Sequence, residues 1–440
     1  MQGERAVLAG GDAFPRNIPL FIAFRIFFNA RWYYPVLGVL FLDLGLTLEQ
    51  YALLNVAWAL SIVCLEVPSG AIADQIGRRR MVVLAACFMV VEMALFAFAP
   101  QGSVWLFPIL LLNRILSGAA EASASGADES LAYDSLKEVG QSAAWPVVLA
   151  RLMRWQSVAF FVTMLGGSVL YDAGFIQGAL HTLGISADIT SQTTLRWPLY
   201  ATLLNSLVAL FVASRLTEPQ GSSLQRPTVG ATVRQTLAAG RWILLTPLVL
   251  VLILGGLCVD SVIRLFLTFC SNYLRLIQLP EVSFGLVSAG LAVIGFFTPR
   301  LSQLLVARQS MTANLLVLAG MTLVGLFVTG LIWPLWGVLA ILPLGMAMSM
   351  LQFFLSHYLN AAVTDSALRA TVLSFKGLAF NVGYGVAGLL FASFSRLLMG
   401  NATEADALAA ALRVLPWAFA ALTVVMLAFG FRLLHPRAPR

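Results

Sequence analysis

The stretch Gly70-Ala-Ile-Ala-Asp-Gln-Ile-Gly-Arg-Arg-Arg80 decides how this chain is read. It lies between two long apolar runs. A segment this short, with an acid, two glycines and three consecutive arginines, does not belong in hydrocarbon. It is expected to be a tight turn at a membrane surface. Lys and Arg are retained on the cytoplasmic side, so the arginines say which surface. The glycines let the backbone turn and let helix ends approach closely. Asp74 is suited to meet a helix N-terminus or an arginine and so to latch two helices together. Gly70, Asp74, Gly77, Arg78 and Arg79 are therefore candidate gating residues.

Composition agrees with a membrane setting. Of the 440 residues, 60% are hydrophobic and only 11% are charged, against about 25% charged in a soluble domain. The net charge of +7 follows from positive cytoplasmic loops, so no nucleic-acid partner is expected. Cys64, Cys87, Cys258 and Cys270 all lie in apolar segments and read as small core residues. His181, His357 and His435 lie in unrelated segments, so neither a metal nor a catalytic cluster is expected. No enzyme activity and no cofactor follow from this pattern. The phosphate-binding loop of an ATP-driven pump is absent. The N-terminus through Arg16 is too polar for a signal peptide, which leaves the first apolar helix as the insertion signal.

A spanning helix needs about 20 apolar residues. Runs of that kind predict an all-α polytopic membrane protein with about twelve spans: 18–42, 50–69, 81–99, 104–124, 153–172, 197–215, 243–269, 284–305, 312–331, 334–357, 371–398 and 409–433. The runs are too long and continuous for barrel strands. An even count puts both termini on one side. Arg78 to Arg80, Lys137, Arg151, Arg154, Arg215, Arg226, Arg234, Arg241, Arg300 and Arg308 fall on that side, whereas Arg196, Arg275, Arg396 and Arg413 fall opposite. Both termini are thus expected in the cytoplasm of a multi-pass inner-membrane protein.

Residues 217–240 are rich in Pro, Gly, Ser, Thr and Gln and read as a cytoplasmic linker. They divide the chain into two six-helix halves, 1–216 and 241–440. Asp134-Ser135 after helix 4 and Asp365-Ser366 after helix 10 stand at equivalent loops, which supports an internal repeat.

The turn at Gly70 to Arg79 resembles the helix 2–3 loop of the major facilitator superfamily, G-x-x-x-D-x-x-G-R-[RK]. Arg114-Ile-Leu-Ser-Gly118 resembles that family's R-x-x-x-G element on helix 4. Leu65 to Asp74 and Arg369 to Ser374 are similar to a bacterial branch of its permeases. The resemblance implies two pseudo-symmetric six-helix bundles related by an axis along the membrane normal. It also implies a midplane substrate site lined by helices 1 and 4, and alternating access. Two departures stand out. Helix 5 has Gly166-Gly167 but Val162-Thr163 where antiporters of the family carry Gly-Pro, and the second half lacks a clear copy of the glycine–aspartate loop.

Charges at bilayer depth face a partner or a water-filled cavity and are functional candidates by default. Arg25 and Asn29 share a face of helix 1, and Arg31 follows near mid-span. Arg31 reads either as a cavity residue or as half of a structural ion pair. Arg114 and Glu121 share a face of helix 4 but lie about 10 Å apart along it. Glu121 is expected to meet Arg25 and is the first choice for proton coupling. The partner of Glu92 is open. Asp260 and Arg264 form an i,i+4 pair, either an internal salt bridge or an outer gate element. Gln352 on helix 10, and Lys376 and Asn381 on helix 11, complete the substrate and coupling candidates. Asp128, Glu129 and Asp134 are expected at the cytoplasmic surface as partners for Arg78 to Arg80.

The function these residues predict is a secondary active transporter of a small organic solute, coupled to protons and acting as a monomer in the lipid bilayer. Export of a toxic compound by proton antiport is the alternative, against uptake of a nutrient or organic anion. A transport-dead membrane sensor is the more distant one.

Overall fold

The computed structural model describes residues 14–219, 229–363, 366–398 and 403–434. Among these no strand occurs. In chain order the helices are α1 (Asn17–Asn29), α2 (Leu37–Asp43), α3 (Leu48–Ile76), α4 (Arg78–Ala97), α5 (Leu106–Ala124), α6 (Ala127–Glu138), α7 (Trp145–Tyr171), α8 (Ala173–Thr182), α9 (Ser191–Thr194) and α10 (Trp197–Ser214). They continue as α11 (Val229–Leu245), α12 (Pro247–Thr268), α13 (Cys270–Leu276), α14 (Phe284–Arg308), α15 (Met311–Gly330), α16 (Ile341–Ala362), α17 (Ser366–Leu398) and α18 (Glu404–Leu434).

Local chemistry sets many of these boundaries. Proline in the first turn opens α7, α10 and α12, where the missing N–H costs no helical bond. Asp172 and Ser310 cap α8 and α15 by accepting from the N–H groups of Phe175 and Ala313. Gly77 turns α3 into α4 at φ +99°, and Gly126 turns α5 into α6 at φ +75°. Those are left-handed values that glycine adopts without steric cost.

Ten of the described helical segments are long and apolar enough to cross a membrane. Two other expected spans fall outside those ten. The first is not one helix over 18–42, because α1 ends at Asn29 and a short 3-10 turn over Tyr34–Val36 leads into α2. Pro35 explains the break: it lacks an N–H and its ring excludes a carbonyl one turn back. The fourth, α5, is intact but carries Asn113, Arg114 and Glu121. The opening turn also differs from expectation. Residues 70–76 continue α3 as helix, and the reversal takes a single residue, Gly77.

The helices sort into two compact units. One comprises Met1–Val36 and Ser61–Thr232, the other Leu37–Leu60 and Val233–Arg440. In the first, α4 packs on α5 and α10, and α1 packs on α10 and α7. In the second, α12 packs on α16, α17 and α18, α16 packs on α14 and α15, and α2 packs on α13. The segment Leu37–Leu60, although early in the chain, therefore belongs to the body built by the later helices. The middle of the 217–240 segment, Arg226 and Asp365 lie outside the described residues.

Candidate substrate and coupling sites

In the first unit the break in the first span is fastened by α10 and packed against α7. Asn205 Nδ2 of α10 donates to the Ala30 carbonyl at 2.7 Å, and the Trp32 N–H donates to Thr202 Oγ1 at 3.0 Å. These bonds satisfy backbone groups that the break frees, as irregular backbone at membrane depth requires. On α7, Gly166 and Gly167 give Trp32 room. A Cβ on Gly167 would stand 1.7 Å from the Trp32 carbonyl oxygen. The glycine pair noted on helix 5 thus has a packing role at the break.

Arg31 leaves the break and reaches α4. Its Nη1 lies 2.6 Å from Glu92 Oε1 and 3.0 Å from the Tyr33 hydroxyl. Arg31 is 4% exposed and Glu92 1%, and the guanidinium also lies 6.0 and 5.9 Å from the ring centroids of Phe28 and Tyr34. Asn113 Nδ2 donates to the Glu92 carbonyl at 2.7 Å. Arg114 is buried within electrostatic reach of Tyr33, and Glu121 is half-buried within reach of Tyr34. The partner of Glu92 that the sequence left open is therefore Arg31.

Arg25 does not pair with Glu121. It reaches α6, with Nε 2.5 Å from Asp128 Oδ2 and Nη2 3.1 Å from Glu129 Oε1. The residues after helix 4 fold back as a helix and carry these acids to α1, which a helical-face argument for α5 alone does not foresee. Asp128 and Glu129 are thus partners of Arg25 rather than of the arginines at 78–80. Asn29 is engaged within α1, its Nδ2 donating to the Arg25 carbonyl at 2.9 Å.

Asp128 is 1% exposed. Burial pushes its carboxyl up from 3.8 to about 6, against the pull of Arg25. Between those values the folded protein keeps a proton that the unfolded chain has released, so stability from this group is present below the window and lost as pH rises through it. The expected result is a wild-type thermal midpoint that falls relative to Asp128→Asn as pH rises from about 4 to about 6, then stays level. A flat difference across that range would remove the raised carboxyl.

At the 77–79 turn, Arg78 pairs with Asp134 of α6. Glu218, a residue not singled out from sequence, accepts from the N–H groups of Arg78 and Arg79 at 3.0 and 2.9 Å. Its carboxylate caps α4, and a Cβ on Gly77 would stand 3.2 Å from it. The Glu-Pro step just after helix 6 was the available signal. Arg79 donates to the carbonyls of Leu216 and Ser214 at 2.7 and 3.1 Å. Gly70, in contrast, is an exposed helical residue with nothing within 4 Å of a Cβ built on it. The close approach expected of both glycines belongs to Gly77. The Asp74 side chain lies outside the described residues.

In the second unit, α12 and α17 bring four candidates together. Asp260 is fully buried and pairs with Arg264 at 2.8 Å. Arg264 Nη1 donates to Asn381 Oδ1 at 2.9 Å, and its guanidinium lies 5.4 Å from the Tyr384 ring centroid. The Tyr384 and Thr268 hydroxyls are 2.8 Å apart. Lys376 is within electrostatic reach of Asp260. Gln352 is exposed on α16 and does not join this cluster. A separate ion pair was missed entirely from sequence: Arg275, at the end of α13, grips Asp43 of α2 with two bonds of 2.7 Å and also holds Glu281.

These features define a multi-pass α-helical membrane protein with ionised networks buried in its spans. The chain belongs to the Major Facilitator Superfamily, whose profile matches residues 20–388. The chain matches no curated protein sequence. Among solved structures it is similar to the nucleoside transporter NupG, at 12% identity over 94% of this chain and 99% of that one, TM-score 0.73. A D-xylose–proton symporter is similar at 13% identity, over 96% and 98% of the two chains, TM-score 0.69. A bacterial homologue of the human lysosomal transporter Spinster is similar at 17% identity, over 96% and 98%, TM-score 0.67. At these identities the likeness is one of fold.

Proposed function

We propose that this protein is a secondary active transporter that moves a small organic solute across the cytoplasmic membrane by alternating access, coupled to protons. The observation that carries this reading is a buried charged network in each unit: Arg31–Glu92 at the interrupted first span, and Asp260–Arg264–Asn381 on α12 and α17. Charges at membrane depth are costly and mark solute or proton paths. Interrupted spans supply backbone groups for the same purpose. Membership of the superfamily supports the reading, as do the transporters that share the fold. The moving bodies are the two halves joined through 217–240, with Leu37–Leu60 counted with the later one, both termini cytoplasmic and one copy sufficient. Arg25, Asn29, Arg31, Arg114 and Glu121 would serve solute and proton on one half, with Lys376, Asn381 and Gln352 on the other. The end of α3 from Gly70, with the Gly77 reversal and Arg78 and Arg79 after it, would gate the cytoplasmic side.

Glu121 is the coupling carboxylate in this reading, since it shares α5 with Arg114 and has no role in the Arg25 pair. The test uses purified protein in proteoliposomes with an imposed pH gradient, an internal pH dye and a panel of organic anions, amino acids and cationic dyes. Solute-dependent proton flux is expected in the wild type and is lost in Glu121→Gln. Its sign separates symport from antiport. Solute uptake without proton flux would remove proton coupling. In the same assay Asp74→Asn is expected to insert normally and transport slowly; wild-type rates would sink its latch role.

A further inference from the structure

Lys376 stands five residues inside the span Thr371–Leu398. On a helix the Cα–Cβ bond leans toward the N-terminus, so the short route to water for this lysine runs toward the Ser366 end. Its ammonium stacks over a neighbouring ring. It lies 5.7 Å from the ring centroid of Phe380, one turn deeper into the span. Phe380 is 2% exposed and packs on α12, where a Cβ on Gly256 would stand 3.1 Å from its ring. One turn beyond Gly256 is Asp260, already paired to Arg264. Two cations therefore share one carboxylate along this seam. Lys376 makes no hydrogen bond, and no ion pair within 4.0 Å, with any described residue. Beside Asp260, the Ser261 Oγ is buried without a hydrogen-bond partner. Because Asn381 accepts from Arg264 through Oδ1, its Nδ2 remains available to donate.

Among the described residues this seam holds two cations and one carboxylate, a balance that favours an added anion, and the surrounding groups offer donors. We propose that the α12–α17 seam binds the carboxylate of a monoanionic organic solute, with the Lys376 ammonium as counter-ion and Ser261, Asn381 and Arg264 as hydrogen-bond donors. Asp260 is the internal anion that keeps Arg264 in place when the solute is absent. The inference rests on the transporter reading and narrows it to a substrate class.

The test is a thermal-shift titration of the purified full-length protein with matched acid and amide pairs: lactate and lactamide, benzoate and benzamide, hexanoate and hexanamide. At least one acid is expected to stabilise the protein with an affinity tenfold or more above that of its amide. Lys376→Met should abolish that preference, and Lys376→Arg should retain it. Asp260→Asn, which removes the competing anion, should tighten acid binding. Acids that bind no better than their amides overturn the proposal on the wild type alone, and unchanged acid binding in Lys376→Met overturns it as well. Uptake of the same pairs into proteoliposomes separates the two readings. Acid binding without any transport would leave the site and remove the transporter. Transport of a neutral or cationic solute that Lys376→Met does not alter would do the reverse.

Discussion

Glu92→Ala is expected to cost about 3–5 kcal/mol of stability, because it strands the buried Arg31 guanidinium without a counter-charge. The Arg31–Glu92 contact is 2.6 Å long and both side chains are at most 5% exposed. Neither group can be rehydrated in place. Arginine does not escape by deprotonation, since its pKa lies far above neutrality. The Tyr33 hydroxyl and the rings of Phe28 and Tyr34 contribute partial negative charge only. The thermal midpoint in detergent should fall by on the order of 10 °C. The double variant Arg31→Met with Glu92→Leu removes both charges at similar volume and should recover most of the loss. If Glu92→Ala and the double variant are equally destabilised, the cost lies in packing and the pair is not its source. Transport by the double variant then separates two roles. Recovery of both stability and transport makes the pair structural. Recovery of stability alone makes Arg31 part of the solute path.

Much of this architecture is legible in the sequence, and the reason differs between features. A reversal within 70–80 is legible because glycine and three arginines leave few places for such a segment to go, but its extent is not, since 70–76 stay helical and Gly77 alone turns the chain. The Asp260–Arg264 pair was legible because i,i+4 geometry is internal to one helix. Arg25 was misassigned because a helix face gives direction but not depth, and because residues 127–138 fold back as α6 with Asp128 and Glu129 on it. The break at Ala30–Tyr33 was hidden by counting apolar residues across 18–42, although Pro35 gave a signal against a continuous helix there. By itself Arg275 reads only as a loop charge. Its pairing with Asp43, more than two hundred residues away, is a tertiary fact that no local pattern carries.

The break also sets the second large prediction. Gly167→Ala is expected to destabilise by about 3 kcal/mol or more and to reduce the yield of monodisperse protein sharply. The atom it would strike, 1.7 Å away, is the Trp32 carbonyl oxygen, which is backbone and has no rotamer to change. That backbone is held by Asn205 at the Ala30 carbonyl and by Thr202 at the Trp32 N–H, so a shift strains those bonds and the Arg31–Glu92 contact beside them. Gly166→Ala meets Trp32 too, but at a ring carbon 2.3 Å away, and a side chain swings aside more cheaply. Gly320→Ala on α15 meets nothing within 4 Å and should be neutral or stabilising by up to about 1 kcal/mol, the helix propensity gain. The three variants should therefore rank by the atom each new methyl meets. Fluorescence-detected size exclusion and thermal midpoints measure that order. A Gly167→Ala protein as stable as Gly320→Ala would mean that α7 and the break do not touch at Trp32, and the anchoring of Arg31 through the break would have to be abandoned with it.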